Sequence, residues 1–368
     1  PMSRGFTCVK GRAEPQRAYH PDRLKYPLRR AGERGEGKWE KVSWDDALGS
    51  IAKMLTEVKE KYAPESIASI HGTGPRASLL ASTLFPFALG SPNRISVDLH
   101  ICFAPSLIIE IATVGQSIMM EQGPDYQAAD CIVVWGGNPL ASHPPRGAEI
   151  VDAKRKRNAR LIVVDPRRIP LASQADLWLQ VRPGTDVALA LGMIGVIIEE
   201  QLYDKDFIDK YCYGFDKLRE RVKEYPLDKV SEITWVPADK IREAARLYAT
   251  TKPAALHHRV AVEHNINCTQ TNRALIILVA ITGNIDIKGG NLFQTPIEGY
   301  TSSVKLATPS KEFRLSPEIE AKRIGSKEYP LIAGPEAVFP FVPSPLALEA
   351  MSTGKPFSRW YSPTRGFK

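Results

Sequence analysis

Residues Cys131–Leu140 read CIVVWGGNPL, an apolar run that stops abruptly in Gly-Gly-Asn-Pro. Arg160–Arg168, RLIVVDPRR, repeats the device and stops in Asp-Pro-Arg. Unbroken β-branched runs closed by turn formers are the pattern of strands buried on both faces. Between the two runs, residues from about Arg146 to Arg157 have helical character, and ADLWLQVRP supplies a third strand. GTDVALALGMIGVIIEEQLY then reads as a strongly apolar helix opened by Thr185 and Asp186. Strands alternating with helices predict an α/β fold, doubly wound, with mostly parallel sheets and helices on both faces. In such sheets ligands bind beyond the carboxyl ends of the strands. The WGGNP and VVDPR segments are two such ends, read either as a ligand edge or as tight turns. The G-x-G-x-x-G signature of a plain dinucleotide fold is absent.

Outward from this centre, Ser43 predicts the start of a helix, with Asp46 three residues on as in a capping box. Ala47, Leu48, Ile51, Ala52, Leu55 and Val58 follow at helical spacing. The first forty residues, rich in Arg, Gly and Pro, read as mostly loop. ESIASIHGTG (65–74) reads as a strand entering a glycine turn, and Pro105–Thr113 as a helix. Further helices are expected over Asp204–Tyr225, Pro237–Thr250 and Asn272–Thr282, and a strand over AALHHRVAV.

At 368 residues the chain is long enough for two or three domains, and its charge of +8 is moderate. The basic residues are scattered, and KRKRN (154–158) reads as a solvated helix face, so nucleic acid is not an expected partner. The longest apolar run, Val187–Ile198, is shorter than the ~20 residues of a membrane span. Five cysteines, odd in number and far apart, argue against a disulfide framework and for reduced thiols or metal ligands.

FTCVKGRA, SWDDAL, WGGNP, VVDPR, RPGTDVALALGM and NCTQTNRALIILVAITGNIDIKGGN occur in one order over about Phe6–Leu292. Together they resemble the molybdopterin oxidoreductase family, the dimethyl sulfoxide reductase superfamily. These large multi-domain enzymes carry molybdenum or tungsten on two pterin guanine dinucleotides. The resemblance implies a catalytic subunit in which Cys8 is the last cysteine of a [4Fe–4S] motif and Lys10 lies between cluster and pterin. Three upstream cysteines of that motif are missing here, so the chain is expected to be a fragment. Its tail also ends before the β-barrel domain of the family. The implied organisation is an iron–sulfur remnant over 1–45, a first α/β domain from 46–101 with about 291–368, and a Rossmann-like domain over 102–290.

Cys102, in DLHICFAPS, falls where the family ligates its metal, and a thiolate suits a sulfur-rich Mo or W centre. Gly72 and Gly74, followed by Pro75 and Arg76, resemble a glycine turn near the pterin. Trp135, Gly136, Gly137 and Asn138 would meet one guanine dinucleotide, Asp165, Pro166 and Arg167 its guanosine end, and Gly184, Thr185 and Asp186 the guanine region. His100, His264 and Gln270 are candidates for handling protons, since histidine titrates in the useful range. Cys131, Cys212 and Cys268 read as packing residues. Two departures from the family stand out. His257, His258 and Arg259 replace a glycine-rich turn, and Asp286 stands where glycine is common. The implied partners are a small-molecule substrate and an iron–sulfur electron-transfer subunit. Two rival readings keep much of this frame: a non-redox hydratase or transhydroxylase on the same cofactor, and a non-catalytic iron–sulfur scaffold of a respiratory complex. A simple nucleotide-binding α/β protein is disfavoured by the missing phosphate motifs.

Overall fold

The computed structural model describes residues 5–72, 76–96, 104–116, 118–119, 123–293, 299 and 314–335. The chain divides into two compact units, one built on Leu99–Glu298 and the other on Thr7–Asp98 with Gly299–Trp360.

In the second unit, helix α1 (Val9–Ala18) is followed by an antiparallel hairpin of β1 (Leu28–Arg30) and β2 (Trp39–Lys41). Both correct the expectation of a loop. α1 buries none of its residues, so it carries no periodic apolar signal to read. Helix α2 (Trp44–Tyr62) begins where expected: the Ser43 hydroxyl oxygen accepts from the Asp46 amide at 3.0 Å, and its O–H donates to the Asp46 carboxylate at 2.6 Å. Strand β3 (Ser69–His71), helix α3 (Arg76–Leu89) and strand β4 (Arg94–Ser96) complete a small β-α-β unit with β3 and β4 parallel. The buried Arg323 closes this unit by donating to the carbonyls of Pro92 and Ala333, each at 2.9 Å.

The first unit holds the larger sheet. Helix α4 (Ala104–Val114) precedes β5 (Cys131–Trp135), the short α5 (Pro139–Ser142), α6 (Pro144–Arg157), β6 (Arg160–Val164) and β7 (Leu177–Leu179). Helices α7 (Asp186–Glu199), α8 (Lys205–Tyr211), α9 (Phe215–Val222), α10 (Leu227–Thr234) and α11 (Ala238–Thr250) lead to β8 (Ala254–His258) and α12 (Cys268–Ile281). The single helix expected over Asp204–Tyr225 is two, because Gly214 adopts a left-handed φ of +82° between them. The strand expected over AALHHRVAV ends at His258 and passes into a 3₁₀ turn, Val260–Val262, while α12 starts four residues before the expected Asn272.

All four strands are parallel, in the order β7-β6-β5-β8. Alternate residues feed two cores. Cys131, Val133 and Trp135 of β5 and Ile162 and Val164 of β6 pack with α7, α10, α11 and α12. Ile132, Val134, Leu161 and Val163 face the other side, with Ile150 and Ala153 of α6. Burial of each such side chain contributes about 1.5–3 kcal/mol. The fold is therefore α/β and doubly wound, with helices on both faces. The outer edge of β8 is satisfied by the GNIDIKGGN segment. The Ala254 amide donates to Asn284 Oδ1 at 3.0 Å, and the Leu256 amide to Asn291 Oδ1 at 2.9 Å. Asn291 Nδ2 returns a bond to the Leu256 carbonyl at 2.8 Å. Asp286 sits at φ +53°, which explains why glycine suits that position.

Candidate functional site

Because the strands are parallel, their carboxyl ends line one edge. From β6 and β7 the chain crosses back past β5 to form β8, so the strand order reverses between β5 and β8, and the crevice of an open α/β sheet lies there. The loops that leave the edge are stitched to their neighbours. The Gly136 amide donates to the Val164 carbonyl at 2.8 Å, and the Arg259 amide to the Trp135 carbonyl at 3.1 Å.

Gly136 takes φ +61°, and a Cβ there would stand 3.1 Å from Ala261 Cβ. At Gly137 a Cβ would stand 2.9 Å from Arg259 Cγ and 3.4 Å from His257 Nε2. Only glycine fits this turn without displacing its neighbours. Next to it, Asn138 Oδ1 is buried with no hydrogen-bond partner among the described residues. Beyond β6, buried Asp165 folds its carboxylate over the turn and accepts from the Arg167 amide at 2.8 Å. Trp178 and Gln180 donate to the carbonyls of Asp165 and Pro166 at 2.8 and 3.0 Å, which fixes the loop and leaves the Arg167 guanidinium exposed. Past β7, Gly184 takes φ +82° with open space where a Cβ would be. The Thr185 hydroxyl donates to the Arg182 carbonyl at 2.7 Å rather than capping α7. Asp186, buried, accepts from Trp135 Nε1 at 2.8 Å, and burial raises its carboxyl pKa. The Trp135 side chain therefore lies in the core and orients Asp186 from below the edge.

Sequence reasoning noticed the paired histidines of β8 but not their partners. His257 Nδ1 lies 2.7 Å from the Tyr126 hydroxyl. His258 Nε2 lies 3.3 Å from Glu110, whose other oxygen accepts from the amides of Ile118 and Met119 at 2.7 and 3.2 Å. One helical turn earlier on α4, Ser106 donates to Glu263, a carboxyl whose pKa burial pushes up. Glu110, Glu263 and Tyr126 belong to no motif. An acid inside an apolar helix, as in SLIIEIATV, was the available signal for Glu110.

The thiols separate by environment. Burial pushes Cys131 up to about 12 and also raises Cys268 and Cys212, which keeps them protonated packing residues. Cys8 goes the other way. It stands at the N-terminus of α1, where the amides of Gly11 and Lys10, then the Lys10 charge, lower its pKa and favour the thiolate. Lys10, His264 and Gln270 are exposed. Gly72 is exposed too, with nothing within 4 Å of a Cβ. His100, Cys102, Gly74 and Pro75 lie outside the described residues, as does the side chain of Arg76. Among the described residues no group of three or more His, Cys, Asp or Glu side chains could hold a metal.

The family model for molybdopterin oxidoreductase matches residues 23–353. Acetylene hydratase of Syntrophotalea acetylenica is 38% identical over 317 residues, covering 85% of this chain and 42% of that protein. Dimethyl sulfoxide reductase DmsA of Escherichia coli is 34% identical over 317 residues, covering 77% of this chain and 39% of that protein. A solved structure of acetylene hydratase from Pelobacter acetylenicus superposes with a TM-score of 0.81 at 33% identity, over 97% of this chain and 50% of that one. The class is thus a doubly wound α/β protein of the pterin-dependent enzymes. The chain belongs to the molybdopterin oxidoreductase family, and it spans less than half the length of these curated relatives. Membership implies a molybdopterin cofactor. The sheet edge suits a phosphate-bearing dinucleotide: a turn with no Cβ, a buried unpartnered Asn138 oxygen, and open space at Gly184 beside a helix N-terminus.

Proposed function

We propose that this chain is part of the catalytic subunit of a molybdenum or tungsten enzyme carrying a bis-molybdopterin guanine dinucleotide. The observation that carries the reading is the single edge on which Gly136–Asn138, Asp165–Arg167 and Gly184–Asp186 stand in a member of this family. Gly136, Gly137 and Asn138 would hold the diphosphate by close backbone approach, with Asp165 and Arg167 at the guanosine end and Thr185 and Asp186 near guanine. Gly72 and Gly74 would border the pterin. Cys102 would ligate the metal. Cys8, with its thiolate favoured, would hold an iron–sulfur cluster with Lys10 beside it, and His100 and His264 would handle protons. When bound, the metal centre supplies two-electron redox chemistry, or oxygen- or sulfur-atom transfer. The residues of this chain orient it and tune it. Electrons would leave through the cluster to an iron–sulfur partner subunit. The substrate would be a small molecule, and neither nucleic acid nor a membrane span enters the reading. Among the described residues no helix is long and apolar enough to cross a membrane.

A second reading is favoured by the similarity to acetylene hydratase: a hydratase on the same cofactor with no net redox. Metal and pterin analysis of the intact protein, purified without oxygen, tests both readings. Molybdenum or tungsten with guanine dinucleotide is expected, and absence of both metals overturns them in favour of a scaffold subunit. Dye-linked electron exchange with oxyanions, formate or polysulfide separates redox from hydration. Cys102→Ala is expected to abolish turnover while the dinucleotide stays bound, and near wild-type turnover removes the ligand assignment.

A further inference from the structure

At the inner side of the Gly-Gly-Asn turn, His257 Nε2 is fully buried and has no hydrogen-bond partner among the described residues. The other nitrogen, Nδ1, is 2.7 Å from the Tyr126 hydroxyl. The Arg146 guanidinium lies 4.4 Å above the Tyr126 ring, and a cation on that face makes the phenol a stronger donor. With Tyr126 as the donor to Nδ1, the imidazole proton lies on Nε2. The charged and titratable groups that act most strongly on this imidazole are cationic or neutral: Arg259 and His258 from β8 and its end, Arg146 and His143 from the start of α6. Burial and these neighbours keep His257 uncharged. A buried N–H donor without an acceptor, in positive surroundings, calls for an anionic oxygen. Gly137 adjoins it: a Cβ there would stand 3.4 Å from Nε2, and the Arg259 side chain, whose Cγ lies 2.9 Å from the same point, covers the approach.

We propose that His257 contacts the bound dinucleotide directly, donating its Nε2–H to a phosphate oxygen at the Gly137 turn once the Arg259 side chain swings aside. Tyr126 is a positioning residue that sets the tautomer, and the side-chain oxygen of Asn138, the next residue of the turn, accepts from a ligand hydroxyl or N–H. The inference rests on the reading of Gly136–Asn138 as the dinucleotide edge.

The test uses the intact protein stripped of cofactor, titrated by calorimetry with GDP and with inorganic pyrophosphate. The wild type is expected to bind both. Loss of a hydrogen bond to a charged group should weaken both ligands by about 10-fold or more in His257→Leu. His257→Gln keeps an N–H and should restore part of the affinity. In ¹⁵N-histidine NMR spectra of the wild type, the His257 Nε2 resonance should move on adding pyrophosphate, while Tyr126→Phe should alter the tautomer before any ligand is added. A resonance unmoved at saturating GDP overturns the inference even if the variants fail to fold. Equal affinities in wild type and His257→Leu also overturn it. A wild type that binds neither probe removes the anion site and the inference with it. The dinucleotide content of the holoprotein decides the underlying reading separately.

Discussion

The four-stranded sheet and helix α2 start from equally clear sequence patterns and meet different fates. β5 and β6 bury nearly every side chain on both faces. α2 carries Leu48, Ile51 and Met54 at 58%, 52% and 61% exposure and buries no residue at all. A parallel strand is enclosed by what the sequence supplies next, since a β-α-β unit brings its own cover. An amphipathic helix states only that one face suits an apolar partner. The pattern fixes the element and does not by itself supply the cover. Variants in the two regions should therefore behave differently.

The largest effect is expected at Trp135→Ala. Truncating this fully buried ring leaves a cavity costing about 3–5 kcal/mol, and Asp186 loses its indole donor inside the core. Denaturant unfolding of the intact protein checks it, with the midpoint falling steeply. Asn291→Ala comes next, at about 2–3 kcal/mol. It strips the Leu256 amide and carbonyl and the Ile118 carbonyl of their partner in the core. Hydrogen exchange should report the damage first at β8, the strand whose outer edge the asparagine closes.

That asparagine shows where reading a sequence stops. The order of strands, the turns after β5, β6 and β7 and the cap at Ser43 are all local signals, and the structure forms each of them. GNIDIKGGN was legible as a motif, but its work as an edge strap depends on bonds to a strand 30 and 35 residues earlier. The partners that α4 supplies are further away still, with Glu110 against His258 and Ser106 against Glu263 across about 150 residues. No spacing rule reaches that far. α1 escaped for the opposite reason, being polar all round and tied by local contacts such as Arg17 to Glu14.

The pH response is expected to be smaller and to separate two groups at one edge. His257 is held neutral well below the ordinary imidazole value, so below about 6.5 the unfolded chain binds the extra proton. Its contribution to stability is complete above that value and is lost as pH falls. Asp186 has its pKa raised by burial, so the folded state keeps a proton that the unfolded chain releases above about 3.9. Its contribution is lost as pH rises through that raised value. His257→Gln should therefore flatten the decline in unfolding free energy between pH 6.5 and 5 by about 1 kcal/mol. Asp186→Asn should act only on the other slope. Parallel slopes for wild type and His257→Gln would show that the imidazole titrates in the folded protein.

The smallest effect is expected at the most conspicuous apolar stripe. Ile51→Asp places a charge on α2 where the side chain is 52% exposed, so the folded chain loses little contact and leaves no ion in a dry site. The change in unfolding free energy should stay within about 0.5 kcal/mol, against several kcal/mol for Ile162→Asp in the middle of β6, where the side chain is fully enclosed. The two substitutions are chemically identical and both remove an isoleucine from a readable apolar pattern. If Ile51→Asp destabilises the intact protein as Ile162→Asp does, the face of α2 is covered there, and the contrast between the two regions belongs to this span of chain alone.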